Sequence, residues 1–465
     1  MPPLQLSTEE FRGLADRVSI AATEYLALLN DRLIFPATTG SLTQAVFDLP
    51  LAEDGLGAAA LDDLVAVMEH ARAGNGRFFG YVLGSGEPIA ALADFYVSVL
   101  NQNVTTWRSA PSATAIERTV VGWLADAIGC HGYSGSLTSG GSAANLMCLA
   151  MAREARAPAN EHGAQPCVVY ASNEVHMSIA KAVAVLGIGR ANLRSIPVDN
   201  DFRMRADALE TAIAEDKHSG RRPIAIVATA GTINTGAIDP LSDIARIAQA
   251  HDLWLHIDGA YGALAALAVP ERLEGINQAD SISLDAHKWL YQPLDCSVVL
   301  YRDAELARTT FAYSGEYARS LSVDPTEGFS FFEESIELSR RFRALKLWLS
   351  LRYHGLGQFR EAIREDLRHA QLLAQLIDAN PSLERLAPTE LSAVCFRWKD
   401  GPEQTLNHRN AAILQSVIRR GRVYLSNATL RGTFALRACI VNHRTTDDDI
   451  GAIVEEVLAA AEQTA

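Results

Sequence analysis

Two kinds of hydrophobic spacing divide the chain. Over residues 6–72 apolar positions recur at helical intervals in "STEEFRGLADRVSIAATEYLALL" and "GAAALDDLVAVMEHARA", joined by a stretch containing Pro, Thr and Gly. Ser7 followed by Glu10 has the spacing of a capping box, which predicts a helix start there. No strand accompanies these helices, so they are expected to pack on another part of the protein or on a second subunit. From about residue 86 to 305 short apolar runs alternate with helical segments. The runs are "CVVYAS" (167–172), "PIAIVATA" (223–230), "LWLHID" (253–258), "SISLDA" (281–286) and "SVVLYRD" (297–303). Between them lie segments such as "SAANLMCLAMAREAR" and "PLSDIARIAQAHD". Strands apolar on both faces and separated by helices predict an open, mostly parallel α/β sheet. Residues 333–378 read as helix again. After Pro381 the segments "LSAVCFRWKD", "RVYLSNATL" and "TFALRACIVN" precede a terminal helix, "DDDIGAIVEEVLAAAEQ". The expected organisation is an N-terminal helical segment (1–85), a large α/β domain (86–355) and a small α+β domain (356–465).

Composition narrows the function classes. A chain of 465 residues, 48% hydrophobic and 21% charged, is long enough for two or three domains with large cores. With 41 Lys and Arg against 55 Asp and Glu, the net charge of −14 argues against broad nucleic-acid or anionic-membrane binding. The six cysteines are scattered, without a CxxC pair or metal-ligand spacing, and several lie inside apolar runs. Reduced core thiols and no metal site are therefore expected. No stretch approaches the roughly 20 apolar residues of a membrane span, and "MPPLQLSTEEFRGLADRVS" contains no signal-type apolar core. The expected location is the cytoplasm.

In open α/β sheets ligands bind outside the carboxyl ends of the strands, and here those ends carry chemistry. "LWLHI" is followed by Asp258, Gly259 and Ala260; "SISLDA" by His287 and Lys288; "AIVATA" by Gly231 and Thr232. His176 opens the helix after "VVYAS", and "TSGGSAAN" (138–145) precedes another. Singly, each has an ordinary explanation: a turn-capping Asp, a surface His, a glycine turn, a solvated Lys, a buried Cys296 thiol. Together they complement one ligand. A Gly-Gly-Ser turn at a helix N-terminus offers N–H groups and a positive dipole end to a phosphate. A strand-end carboxylate can keep a pyridine nitrogen protonated, small Ala260 leaves room for a flat ring, and an imidazole can cover its other face. A partly desolvated lysine can form an imine with an aldehyde. Those are the requirements of pyridoxal 5'-phosphate, whose pyridinium ring is an electron sink.

The order "TSGGSAANL … NEVHMS … ATAGT … HIDGAYG … DAHKWL" resembles the group II pyridoxal-phosphate-dependent decarboxylases, the family of aromatic amino acid, glutamate and histidine decarboxylases. The resemblance runs from roughly 75 to 445 and includes "RFFGYVLGSGEP", "SRRFRALKLWLSLRYHG" and "FALRACIVNHRT". It implies an aspartate-aminotransferase-like fold (fold type I), a homodimer with active sites at the interface, and decarboxylation of an L-amino acid, aromatic ones included, to the amine and CO2. Carried over by motif, Lys288 forms the imine with the cofactor, Asp258 partners the pyridine nitrogen and His176 stacks on the ring. Gly141, Ser142 and His287 hold the phosphate with Asp285 nearby, and Thr232 and Ala260 line the ring. Arg437 matches an arginine that reaches the substrate carboxylate in several relatives, with a structural salt bridge as its other reading. Tyr81 falls where relatives line the substrate pocket, with aromatic core packing as its other reading.

The sequence departs from the family in one place that bears on the product. Counting back without gaps from Arg340-Arg341 puts Phe331 where aromatic decarboxylases carry a tyrosine that serves Cα. Relatives with phenylalanine there tend to be aldehyde synthases, which couple decarboxylation to oxidative deamination. That activity, or another lyase or aldolase reaction on the same scaffold, is the alternative function, with Tyr313 or Tyr317 as substitutes for the missing phenol. A catalytically silent relative is the third reading, and the intact Lys288, Asp258 and His176 count against it. Glu333-Glu334 reads as a solvated helix start in preference to a site for a cationic substrate. Ala115 stands where relatives often carry a glutamate. The substrate itself is not named by the sequence.

Overall fold

Seven strands, β1 (Ser134–Thr138), β2 (Val168–Ser172), β3 (Leu193–Ile196), β4 (Pro223–Thr229), β5 (Trp254–Asp258), β6 (Ser281–Asp285) and β7 (Ser297–Tyr301), form one sheet. This is seen in a computed structural model that describes residues 4–51, 53–313 and 324–464. The strand order is β1-β7-β6-β5-β4-β2-β3. β6, β5, β4, β2 and β3 run parallel, while β7 is antiparallel to both of its neighbours. The chain between Asp285 and Ser297 is too short for the crossover a parallel pair needs, so β7 must return antiparallel. The five apolar runs are β2, β4, β5, β6 and β7. β1 and β3, "SGSLT" and "LRSI", carry too few apolar residues to stand out, yet β1 is almost wholly buried.

Strand alternation feeds two cores. Val168, Tyr170, Ile226, Ala228, Val298 and Leu300 face one, built with helices Pro111–Ala127, Ala206–His218 and Leu241–His251. Val169, Ala171, Val227, Val299 and Tyr301 face the other, against helices Gly141–Arg156 and Met177–Val185. With both faces covered, strand ends become the accessible part of the sheet.

A second sheet of β8 (Leu383–Arg385), β9 (Ala393–Trp398), β10 (Ser426–Leu430) and β11 (Thr433–Cys439) is antiparallel in the order β10-β11-β9-β8. Helices Glu403–Arg420 and Asp447–Gln463 share its core with the later part of Ala344–Ala379. That last helix passes from one core to the other and breaks at Gly355, whose φ of 74° suits glycine.

The expected helix over 333–378 begins only at Ala344. Arg340 turns inward instead and pairs with Glu117, both side chains fully buried. Its guanidinium also donates to the carbonyls of Val104 (2.8 Å) and Leu137 (3.0 Å), tying this segment to β1. Glu334 is not a solvated helix start: it is buried, accepting from Tyr301 Oη at 2.6 Å and Arg308 Nη2 at 2.7 Å. Its charge is therefore spent on structure.

At the N-terminus the capping box forms, with Ser7 N donating to Glu10 Oε2 at 2.8 Å and Glu10 N to Ser7 Oγ at 3.2 Å. The helix it starts, Thr8–Leu28, buries none of its residues. The joining stretch holds a further short helix, Gly40–Phe47, and the second segment divides into a 3-10 turn, Gly57–Asp62, and a helix, Asp63–His70. All six cysteines are buried and unpaired, as their apolar surroundings predict. Among the described residues no helix is long and apolar enough to cross a membrane.

Candidate active site

β6 ends in Asp285, and a single helical turn, Ala286–Trp289, then carries His287 and Lys288. The turn is clamped from outside. Gly84 N donates to the His287 carbonyl at 2.9 Å, and Glu87 N to the Tyr291 carbonyl at 2.7 Å. A Cβ at Gly84 would lie 2.5 Å from the carbonyl oxygens of both His287 and Lys288, so only glycine lets this strap approach. The fully buried Trp289 anchors the turn from below. Lys288 thus leaves a rigid platform and points into a cavity of about 340 Å³ at the carboxyl ends of the parallel strands.

The ends of β4, β5 and β6 meet there in register, Thr229 beside Asp258 and Asp258 beside Ser283. Lys288 Nζ pairs with Asp285 Oδ2 at 2.9 Å. Burial alone would push the Asp285 carboxyl up; Lys288 and His287 outweigh it and hold the group below the ordinary carboxylate range. Ser297 Oγ donates to Asp285 Oδ1 at 2.5 Å. His287 Nδ1 lies 3.1 Å from the Cys296 carbonyl, and Nε2 lies 3.5 Å from Asp285 Oδ2. Burial pushes the His287 pKa down, with Asp285 pulling the other way.

Asp258 accepts from Asn145 Nδ2 at 2.9 Å, Ser283 Oγ at 3.2 Å and its own turn's Ala260 N at 3.2 Å. An ionised carboxylate offers about four acceptor positions, so one is left for a ligand. His176, Ala260, Gly141 and Ser142 line the same cavity. Helix Gly141–Arg156 starts at its wall, where the first N–H groups have no intrahelical acceptor. A Cβ on Gly141 would meet Ala260 Cβ and Asp285 Oδ2 at 3.0 Å, so this part of the cradle is tight against any larger residue.

Four residues expected here are placed differently. Thr232 lies in the turn after β4 with its hydroxyl 2.9 Å from Thr235 Oγ1; Thr229, Gly231 and Ile233 line the cavity in its stead. Tyr81 sits outside, its hydroxyl 3.4 Å from Tyr424 Oη, and Val82 faces inward. Arg437 is buried beneath the site, donating to the Asn234 carbonyl (3.1 Å) and Ser426 Oγ (3.0 Å), with no carboxylate partner among the described residues. Its Nη2 is buried without a partner among the described residues, and no salt bridge forms there. Phe331 is fully buried in the core under the Arg340 guanidinium, 4.2 Å from its ring centroid, and does not line the cavity. Tyr313 is 95% exposed, and Tyr317 lies outside the described residues.

Asn145, Ser283 and Thr229 belong to the site without having been singled out. Asn145 closes the "TSGGSAAN" motif one helical turn after Gly141, a spacing that points it the same way.

The residues present fit pyridoxal phosphate. Thr229 Oγ1 is buried on the cavity wall without a partner, Gly141 leaves a space a Cβ would fill, and Asp258 keeps one acceptor position open. A larger groove of about 510 Å³ at helix Leu241–His251 is lined by residues such as Arg203, Asp239, Arg272 and Glu390 and holds none of these groups.

Known proteins resemble this chain in sequence and fold. The chain is 32% identical to an aromatic-L-amino-acid decarboxylase of Bacillus atrophaeus, over 99% of this chain and 97% of that protein. A phenylacetaldehyde synthase of Petunia hybrida is 31% identical over 78% of this chain and 76% of its own length. The crystal structure of an Oryza sativa TDC with PLP and tryptamine superposes with a TM-score of 0.93 at 24% identity, covering 100% of this chain and 99% of that one. The sequence profile of the pyridoxal-dependent decarboxylase conserved domain matches residues 60–399, and the chain belongs to that family.

Proposed function

We propose that this chain is a carboxy-lyase that uses pyridoxal 5'-phosphate to convert an L-amino acid with an apolar, aromatic-sized side chain into its amine and CO2. The observation that carries the reading is the convergence of Lys288, Asp258, His176 and Gly141 on one cavity at the strand ends. When bound, the cofactor's protonated pyridine ring accepts the electron pair freed as CO2 leaves. Lys288 supplies the nitrogen that holds the cofactor before substrate arrives. Asp258, fixed by three donors, keeps a proton at the ring nitrogen. His176 covers one face of the ring and Ala260 leaves space at the other. Gly141, Ser142 and His287 hold the phosphate, and Asp285 orients His287 and Lys288. Val82, Ile233 and Leu294 form an apolar wall for the substrate's side chain. Arg437 keeps a candidate role toward the substrate carboxylate through its free Nη2.

A homodimer completes this reading, with the helices of segment 1–85 covering a partner, residues 86–355 binding the cofactor and residues 356–465 forming the small domain. Phe11, Ile20 and Leu26 on the first helix and Leu92, Phe95 and Tyr96 on helix Pro88–Leu100 are exposed in the single chain. Leu294, 59% exposed at the cavity, is also open to a partner.

The aldehyde-forming alternative rested on Phe331, which is buried in the core and does not line the cavity, and this favours the amine-forming reading. Incubating the enzyme with a panel of amino acids while following CO2, amine, aldehyde and peroxide tests the reading. Amine in step with CO2 is expected. Aldehyde and peroxide as main products, or no borohydride-trapped adduct at Lys288, would overturn it.

A further inference from the structure

Behind the cavity wall a set of buried polar side chains connects Asp258 to His176. Asn145, 1% exposed, is its centre. Its Nδ2 lies 2.9 Å from Asp258 Oδ2 and 2.9 Å from Ser178 Oγ, and its Oδ1 lies 3.0 Å from His256 Nε2. Chemistry fixes the direction of each bond. An ionised carboxylate only accepts, so the amide must turn Nδ2 toward Asp258 and Oδ1 toward His256. His256 therefore donates from Nε2. Burial pushes its pKa down to about 4, so it is neutral and its Nδ1 carries no hydrogen. Nδ1 faces both Ser281 Oγ at 3.1 Å and the Ser281 carbonyl at 3.2 Å, and Ser281 Oγ itself accepts from Trp254 Nε1 at 2.9 Å.

The other arm is equally determined. The second Nδ2 hydrogen of Asn145 goes to Ser178 Oγ, so the serine's own hydrogen is free for His176 Nδ1 at 2.8 Å. The Ser178 backbone N–H points at the same nitrogen from 3.3 Å and cannot reverse its role. With two donors aimed at it, Nδ1 has no room for a hydrogen, and the ring's hydrogen must sit on Nε2. That nitrogen has no partner among the described residues, and His176 lines the cavity.

We propose that Asn145, flanked by His256 and Ser178, is a positioning residue that fixes His176 as the neutral tautomer with its hydrogen on Nε2, presented to the cavity, while the same amide holds Asp258. The inference deepens the roles given above to Asp258 and His176 and rests on that reading only for its consequence. The consequence is that His176 donates a hydrogen bond without acting as a general acid. Losing the Nε2 proton would leave an imidazolate, since no acid stands behind Nδ1. The proton that Cα gains after CO2 departs must come from another group. The charged groups around His176 are Asp258, Lys288, Asp285 and Lys181, and burial outweighs them in holding its pKa below the ordinary value.

The test reads the ring directly. Full-length protein carrying 15N-histidine, with and without cofactor, is followed by two-bond 1H–15N spectra against pH, with His176→Gln assigning the signal. The expected spectrum shows a bare Nδ1, a protonated Nε2 and a midpoint below about 6.5, the free imidazole value. In Ser178→Ala only the longer 3.3 Å backbone N–H still faces Nδ1, and in Asn145→Ala the Ser178 hydroxyl is released to turn, so in both a share of the Nδ1-protonated tautomer should appear and the midpoint should rise. Asn145→Ala should also weaken cofactor binding about tenfold, the loss of one hydrogen bond to a charge. Ser283→Ala touches Asp258 but not His176 and should leave the tautomer unchanged. A hydrogen on Nδ1 in the unmutated protein overturns the proposal. So does an unchanged tautomer in Ser178→Ala with native near-ultraviolet circular dichroism, or a Ser283→Ala change as large as that of Ser178→Ala. If Asn145→Ala fails to fold, Ser178→Ala alone decides. Because the tautomer is read without cofactor, this result is independent of the borohydride test at Lys288.

Discussion

Lys288 Nζ is held 2.9 Å from Asp285 Oδ2, at the end of β6 just before its own short helix, and the carboxylate is itself buried. The Asp285 pKa is depressed in the folded protein despite burial, because Lys288 and His287 face it. A depressed carboxyl contributes stability above its unfolded pKa of about 3.9, and loses it as pH falls through the folded value. Asp285→Asn in cofactor-free protein should therefore lower stability at pH 7 by on the order of 1 kcal/mol, since Lys288 still reaches cavity water. The deficit should shrink below about pH 4. Thermal midpoints of both proteins at pH 7 and at about pH 2.5 check this, and an equal deficit at both would refute the ion-pair assignment.

Gly141→Ala probes the phosphate end of the cavity. The added Cβ would press on Ala260 Cβ and the Asp285 carboxylate, both at 3.0 Å, and neither is the far end of a flexible chain. The backbone there is ordinary helix, so the fold should survive. The cofactor's dissociation constant should rise about tenfold or more, corresponding to about 1.4 kcal/mol. Fluorescence titration of cofactor-free protein measures it, and undiminished affinity would move the phosphate away from this turn.

Below the Lys288 turn, Tyr291 Oη donates to Asp366 Oδ2 at 2.8 Å, and burial raises the Asp366 pKa to about 8. Here the sign is opposite to that of Asp285. Between about 3.9 and 8 the folded chain binds a proton the unfolded chain does not, so stability falls as pH rises through that window. The slope from this group is at most about 1.4 kcal/mol per pH unit. Asp366→Asn should remove it, so the variant's thermal midpoint should gain on the parent between pH 6 and pH 8. Parallel curves would show that Asp366 is ionised.

Much of this was legible in the sequence, for identifiable reasons. β2, β4, β5, β6 and β7 are buried on both faces and appear as unbroken apolar runs. The chemical residues stand directly after them, so His176, Asp258, Asp285, His287 and Lys288 can be placed before any coordinates. β1 was not legible, because its "SGSLT" owes its burial to its neighbours. The strap around Gly84 could not be read either, since its contact with the Lys288 turn joins distant parts of the chain. Thr232 and Thr229 show the finer limit: both flank the same strand end, and only the turn geometry decides which hydroxyl faces the cavity.

Phe331 shows what counting along a sequence cannot decide. An ungapped count sets it at a tyrosine position, where Phe331→Tyr should restore a proton donor and raise the yield of amine. The structure gives a different expectation. The ring is 0% exposed, edge-on to Phe329 with centroids 4.8 Å apart and covered by the Arg340 guanidinium. A hydroxyl added there would enter packed core, and an unpaired buried hydroxyl costs about 1–3 kcal/mol. Phe331→Tyr should therefore lower the thermal midpoint and leave the ratio of amine to aldehyde unchanged. Product analysis on the amino-acid panel, alongside a melting curve, separates the two expectations. A clear shift toward amine at unchanged stability would mean that the segment leaves the core during turnover and that residue 331 reaches Cα.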